Sequence, residues 1–161
     1  MTPTNNLAFT APLNPPNTPT RLTIPQIWAG LLLKCRSAET FVPAAIQSTT
    51  VLSDTIDPKT GNTVVVREVL FRESQRRVKE VVTAFEPCRV EFEQPDGSRV
   101  SNVVSEGADG ELYLTYIFEW RHPGLSKEEL KDALVKEKGM SRQAVEGTIN
   151  VLRRLVEEGK L

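Results

Sequence analysis

The chain is poor in the side chains that carry most enzyme chemistry. One histidine, His122, occurs in 161 residues. It falls in a WRHPG turn at the end of a strand pattern, with no nucleophile beside it, which argues against a Ser–His–acid triad. The two cysteines, Cys35 and Cys88, are isolated from one another. One His and two dispersed Cys do not make a metal-ligand cluster or a disulfide framework, so no metal is expected and both thiols are expected free and buried. Neither a G-x-x-x-x-G-K-[ST] loop nor a G-x-G-x-x-G turn occurs, and no cofactor is expected. No apolar run approaches the roughly 18–20 residues of a membrane span. The opening MTPTNNLAFT has neither the basic region nor the apolar run of a secretory signal, so the expected compartment is the cytoplasm. An excess of either charge is missing too: Lys and Arg total 20 and Asp and Glu 21, for a net charge of −1. A nucleic-acid partner would call for a basic excess. There is no internal repeat and no low-complexity tract.

What is present is ordinary globular material, 39% hydrophobic and 25% charged, at a length that suits one domain. LAFTAPL at 7–13 reads as a strand, and NPPNTPT at 14–20 as an extended, proline-stopped connector. A helix follows, with Thr23 as N-cap and Pro25 in the first turn. Ile24, Ile27, Trp28, Leu31, Leu32 and Cys35 form its apolar face. A short helical turn is expected over Pro43–Ile46. From 47 to 120 the period becomes two, with strands over 47–54, 63–71, 77–85, 88–94, 99–106 and 111–120. Short turns at 57–62, 86–87, 95–97 and 107–110 make these an antiparallel meander. Ser126 and Glu129 then form a capping box for a helix carried by Leu125, Leu130 and Leu134 to Gly139. Ser141 is expected to cap a separate last helix. Its apolar face is Val145, Thr148, Ile149, Leu152, Leu155 and Val156, its solvated face Arg153, Arg154, Glu157 and Glu158, and its end Gly159.

The strand faces can be sorted in part. Cys88, Val90 and Phe92 alternate with Arg89, Glu91 and Glu93, so the first set faces inward. A two-residue turn at Glu86–Pro87 would pair Phe85 with Cys88, placing Phe85, Thr83, Val81 and Lys79 inside and Glu80 outside. A four-residue turn at 107–110 puts Leu112, Leu114, Tyr116, Phe118 and Trp120 inside. Strand 63–71 admits two readings. Either Arg67 faces inward with Val65, Val69 and Phe71, or Glu68 does with Val64, Val66 and Leu70.

The order β, α, short α, six β and long α resembles the α+β helix-grip fold of the START and birch-pollen-allergen superfamily: a curved, seven-stranded antiparallel sheet around a long C-terminal helix. Four stretches narrow the resemblance: LAFTAPLNPP, TIPQIWAGLLLKCRSAETFVP, VVVREVLF and AVEGTINVLRRLVEEGKL. Asn14–Pro15, Trp28–Gly30–Leu31, Phe41–Val42–Pro43, Arg67–Glu68 and the 148–161 tail are similar, nearly end to end, to the acetylaranotin-cluster protein L-like family. The family occurs in bacteria and in fungi, often beside fungal secondary-metabolite genes. The resemblance therefore implies a role on a hydrophobic natural-product intermediate, but it carries no catalytic motif.

An aromatic-lined concave sheet facing an amphipathic helix is expected to leave a mostly apolar pocket. Its expected ligand-binding residues are Trp28, Val81, Thr83, Phe92, Leu114, Tyr116, Phe118, Thr148, Ile149 and Leu152. Tyr116, Trp120 and Trp28 read equally as core. Arg67 and Glu68 are the candidate catalytic residues, because alternation forces one of them inward. A buried Glu would have a raised pKa suited to proton transfer, and an Arg would orient a carboxylate, phenolate or enolate. The competing reading neutralises the inward group with Lys79 or a helix-borne partner. Three functions remain open: cofactor-free conversion of a hydrophobic ligand (cyclisation, isomerisation, dehydration or a pericyclic step), a non-catalytic carrier, or an interaction module with a collapsed cavity.

Overall fold

In the computed structural model, which describes residues 1–161, the Val-, Thr- and aromatic-rich segments form the seven expected strands. The elements are β1 (Thr4–Pro12), α1 (Ile24–Arg36), α2 (Ala38–Phe41), β2 (Ile46–Ile56), β3 (Thr63–Phe71), β4 (Arg77–Phe85), β5 (Arg89–Glu93), β6 (Arg99–Glu106), β7 (Leu112–Arg121) and α3 (Lys127–Glu157). All pairings are antiparallel, in the order β1-β7-β6-β5-β4-β3-β2. The first two strands therefore lie at opposite edges, with α1 and α2 between them in the chain. This is the helix-grip architecture. No helix is long and apolar enough to cross a membrane.

Local chemistry sets the helix ends. Thr23 and Gln26 close a capping box at the start of α1, with Pro25 in its first turn. The proline-rich connector is pinned rather than loose. Asn14 accepts from Leu22 N–H at 2.7 Å and donates to Leu22 C=O at 2.9 Å. Arg153, expected on a solvated helix face, instead reaches back from α3 and donates to the carbonyls of Leu13 and Thr20.

Four further expectations are corrected. The short helix is Ala38–Phe41 and not Pro43–Ile46. Its first N–H is capped by Thr49 Oγ1 at 3.0 Å, and Pro43, with no N–H to donate, stands just past its end. The last two expected helices are one, 31 residues long. Gly139 weakens it by about 1 kcal/mol relative to alanine, but Leu134, Ser141, Val145, Thr148, Leu152 and Leu155 continue one inward stripe across that point. Ser141 Oγ donates to Lys138 C=O inside the helix and caps nothing.

The third correction concerns β4. Phe85 pairs with Arg89, not Cys88, so the turn holds Glu86, Pro87 and Cys88. An odd turn reverses the parity of the strand before it. Glu80, Val82 and Ala84 face the core, while Lys79 and Val81 are exposed and Thr83 and Phe85 share their outer face. Cys88, as a turn residue, is exposed, the fourth correction; Cys35 is buried as expected. The inward set of β7 stands, with Leu114, Tyr116 and Phe118 buried.

The core joins Val90, Phe92, Leu114 and Tyr116 of the sheet to Ile27, Trp28 and Leu31 of α1 and Val145, Ile149, Leu152 and Leu155 of α3. Gly30 makes this junction possible: a Cβ there would sit 2.0 Å from Leu152 Cδ2, whose side chain is fully buried.

Candidate functional site

The helices do not fill the sheet's concavity. A cavity of about 490 Å³ remains. Its walls are Phe41–Ile46, the inner faces of β3 to β7, and the middle of α3 from Lys136 to Gly147. Phe71, Phe92, Val100, Tyr116, Phe118 and Trp120 supply most of the apolar sheet wall. At the solvent end, α3 and the β3–β4 turn meet through Lys136 Nζ and Glu73 Oε1 at 2.8 Å.

The inner end is ionic. Arg67 is 2% exposed and Glu80 4%, and their strands pair them directly across β3 and β4. Arg67 Nε and Nη2 donate to Glu80 Oε2 at 2.9 and 2.7 Å. Its Nη1 donates to the Lys34 and Cys35 carbonyls at 2.8 and 3.1 Å, satisfying the C-terminal turn of α1. Gln94 Nε2 donates to the second Glu80 oxygen at 3.1 Å.

Lys34 completes this end. It is buried and its Nζ donates to Asn102 Oδ1 at 2.8 Å. Nζ also lies 4.7 Å from the Phe92 ring centre and 4.9 Å from that of Tyr116. Burial, and then the Arg67 charge, lower its pKa from 10.5 to about 7; Cys35 and Glu80 oppose the shift. The shift makes the amine far easier to deprotonate near neutral pH than an ordinary lysine. Beside it, Tyr116 donates to Thr148 Oγ1 at 2.7 Å, and burial raises its pKa.

Of the residues expected at the site, Arg67, Phe92, Tyr116 and Phe118 line the cavity. Thr148 stands behind Tyr116 as its hydrogen-bond acceptor. Leu114, Ile149 and Leu152 are core residues that do not reach the cavity, and Trp28 borders a separate crevice of about 50 Å³. Val81 and Thr83 belong to the outer sheet face by the parity reversal in β4. Glu68 also points outward, with Oε1 3.2 Å from Arg77 Nη1. The inward residue of its pair is Arg67, and the neutralising partner is Glu80 rather than Lys79 or a helix residue.

Lys34 is absent from the residues expected at the site, and Glu80, expected outside, is buried within it. A signal for Lys34 was present, since it falls seven residues after Ile27 and three after Leu31, on the buried stripe of α1. Glu80 alternates with Val78, Val82 and Ala84 and would have been found with the turn parity right. His122 has a different place, with Nε2 2.5 Å from Glu137 Oε1, while Asn5 donates to Glu137 Oε2 at 2.7 Å. This trio ties β1 and the end of β7 to α3.

A family model described as "AtaL: Acetylaranotin biosynthesis cluster protein L" matches residues 7–159. No curated protein matches the sequence. Among solved structures, the chain is similar to one domain's worth of the di-domain ARO/CYC StfQ from the steffimycin biosynthetic pathway. That match has a TM-score of 0.64 and 7% identity over 97% of this chain and 52% of StfQ, so the chain spans about half of that protein. It is also similar to the protein XoxI from Bacillus cereus, at TM-score 0.56 and 13% identity over 94% of this chain and 96% of the other. Ara h 8.0201 aligns at TM-score 0.51 and 14% identity, covering 91% and 97%. At these identities the likeness is one of fold.

Proposed function

The chain belongs to the family of acetylaranotin biosynthesis cluster protein L, and we propose that it binds a hydrophobic intermediate of secondary metabolism between sheet and α3 and converts it without a cofactor. The reaction class is cyclisation, isomerisation or a pericyclic step, which shape, exclusion of water and a few polar groups can promote. The carrying observation is the cavity. At about 490 Å³, apolar along its sheet wall and closed by Lys34, Arg67 and Glu80, it has the size and polarity pattern of a small-molecule site. The family's biosynthesis-cluster description and the ARO/CYC description of StfQ support the same reading.

Within that site Lys34 is the polar group with capacity to spare. Arg67 is committed to Glu80 and to two backbone carbonyls, so it acts on a ligand through its charge. The same commitment favours a second reading, a carrier that holds its ligand without changing it.

Native mass spectrometry of the protein from its source organism tests the reading, alongside an Ala144→Phe variant that fills the cavity from α3. A small apolar compound should accompany the natural protein and be missing from the variant. A clean protein mass in both, unchanged by a panel of apolar ligands, would sink both the enzyme and the carrier.

A further inference from the structure

Lys34 stands apart from the other seven lysines of the chain. It is buried, lines the cavity, and has no carboxylate partner; its one hydrogen bond goes to a neutral amide. The Asn102 side chain that receives it is itself fully buried, and its Nδ2 has no acceptor. The charged groups around the amine are Arg67 from β3 and Glu80 from β4. Cys35 on α1 and Tyr116 on β7 are the titratable neighbours. Glu80 is already engaged by two Arg67 nitrogens and Gln94. A buried cation is ordinarily paired with an anion, and this one has only the neutral amide.

We propose that Lys34 is a carbonyl-capture site, whose amine condenses with a flat, apolar aldehyde or ketone held in the cavity. This rests on the reading of the cavity as a ligand site and names its ligand class. The Nζ lone pair forms a C–N bond to the carbonyl carbon as the C=O π bond opens, and the oxygen takes a proton given up by nitrogen. The resulting carbinolamine loses its oxygen as water, with the second N–H proton, and leaves a C=N bond to Lys34. Nothing is oxidised or reduced. A desolvated lysine beside another cation is the environment that frees an amine for this addition. Burial and Arg67 supply both conditions here, with the pKa lowered to about 7. The rings of Phe92 and Tyr116, 4.7 and 4.9 Å from Nζ, offer faces to a conjugated ligand and to the cation formed when the imine takes up a proton.

The test uses the full chain with 2-naphthaldehyde at pH 7 and cyanoborohydride, which reduces an imine to a stable amine. Peptide mass spectrometry then locates the label among the eight lysines. Lys34 should be modified at least about tenfold faster than any other, because burial and the Arg67 charge free its amine of the proton near neutral pH, where an ordinary lysine has fewer than about one in a thousand unprotonated. The label should be absent from Lys34→Arg. Excess 2-naphthylmethanol, which has the same ring and no carbonyl, should protect Lys34 alone in the unaltered protein, so the test survives even if the variant misfolds. Equal, slow labelling of all lysines overturns the capture. If 2-naphthylmethanol nevertheless binds one-to-one by native mass spectrometry, the cavity reading stands without it. If the alcohol does not bind either, both readings fall together.

Discussion

Replacing Lys34 with methionine should make the protein more stable in mild acid and less stable in base. In the folded chain the Lys34 amine has a pKa of about 7, against its ordinary 10.5. Between those values the unfolded chain holds a proton that the folded chain has given up, so this group makes stability rise with pH across that window. The full difference is worth about 5 kcal/mol at 1.36 kcal/mol per pH unit. Nearly all of that penalty is in force at pH 6, and about 1 kcal/mol remains at pH 10. Methionine removes the penalty but deprives the buried Asn102 Oδ1 of its donor, at a cost of about 2 kcal/mol. The variant should thus gain about 3 kcal/mol at pH 6 and lose about 1 kcal/mol at pH 10. Arg67, Glu80, Cys35 and Tyr116 are present in both proteins, so their own titrations cancel to first order in the comparison. Urea denaturation of both proteins from pH 6 to 10 measures the difference. A difference that does not change with pH would show that Lys34 is not desolvated as its surroundings require.

Three further outcomes follow from the site and its supports. Glu80→Leu should destabilise by about 3–5 kcal/mol, by leaving the Arg67 guanidinium buried without its anion, and a simultaneous Arg67→Leu should recover part of that loss in chemical denaturation. Glu68→Gln should change stability by no more than about 0.5 kcal/mol and leave ligand binding untouched, because its outward carboxylate meets only the exposed Arg77; a larger effect on binding would restore Glu68 to the site. Gly30→Ala should cost about 1 kcal/mol, as crowding against Leu152 outweighs the better helix propensity of alanine, and a shift of the urea midpoint to higher concentration would count against that close approach.

The sequence was most legible where alternation was clean and one-sided. Arg89, Glu91 and Glu93 could not all face a core, so the inner face of β5 followed from them, and the aromatic series of β7 did the same. The succession of strands and helices followed from such patterns, and the helix-grip fold from the resemblance that this succession carries. β3 was different, because valines occupy both of its faces and no local rule decides between Arg67 and Glu68. The decision lies across the ladder, where Arg67 meets Glu80. β4 failed on a single residue: counting Cys88 into the strand reversed every side chain of β4 and hid Glu80. Gly139 and Ser141 carry the local marks of a break between helices, yet tertiary packing of one continuous apolar stripe overrides them. Lys34 is hard to see in the sequence because a charge on an amphipathic helix ordinarily reads as solvated, although its spacing from Ile27 and Leu31 places it on the buried side.

The pairing of the first strand with the last one has a consequence in time. Thr4 lies opposite Arg121 and Pro12 opposite Tyr113, so β1 has no neighbour until nearly the whole sheet has been synthesised. The meander from β2 to β7 can zip up by short hairpins, each closing a small loop. β1 must close a loop of about a hundred residues, a slow step in folding. Arg153 and the Asn5–Glu137 contact then fasten α3 over the connector and the edge strand. The cavity draws its walls from positions 34 to 147, so it comes into being only at that final docking. A chain still on the ribosome would hold a nearly complete sheet with its concave aromatic face open, and would close over a ligand last.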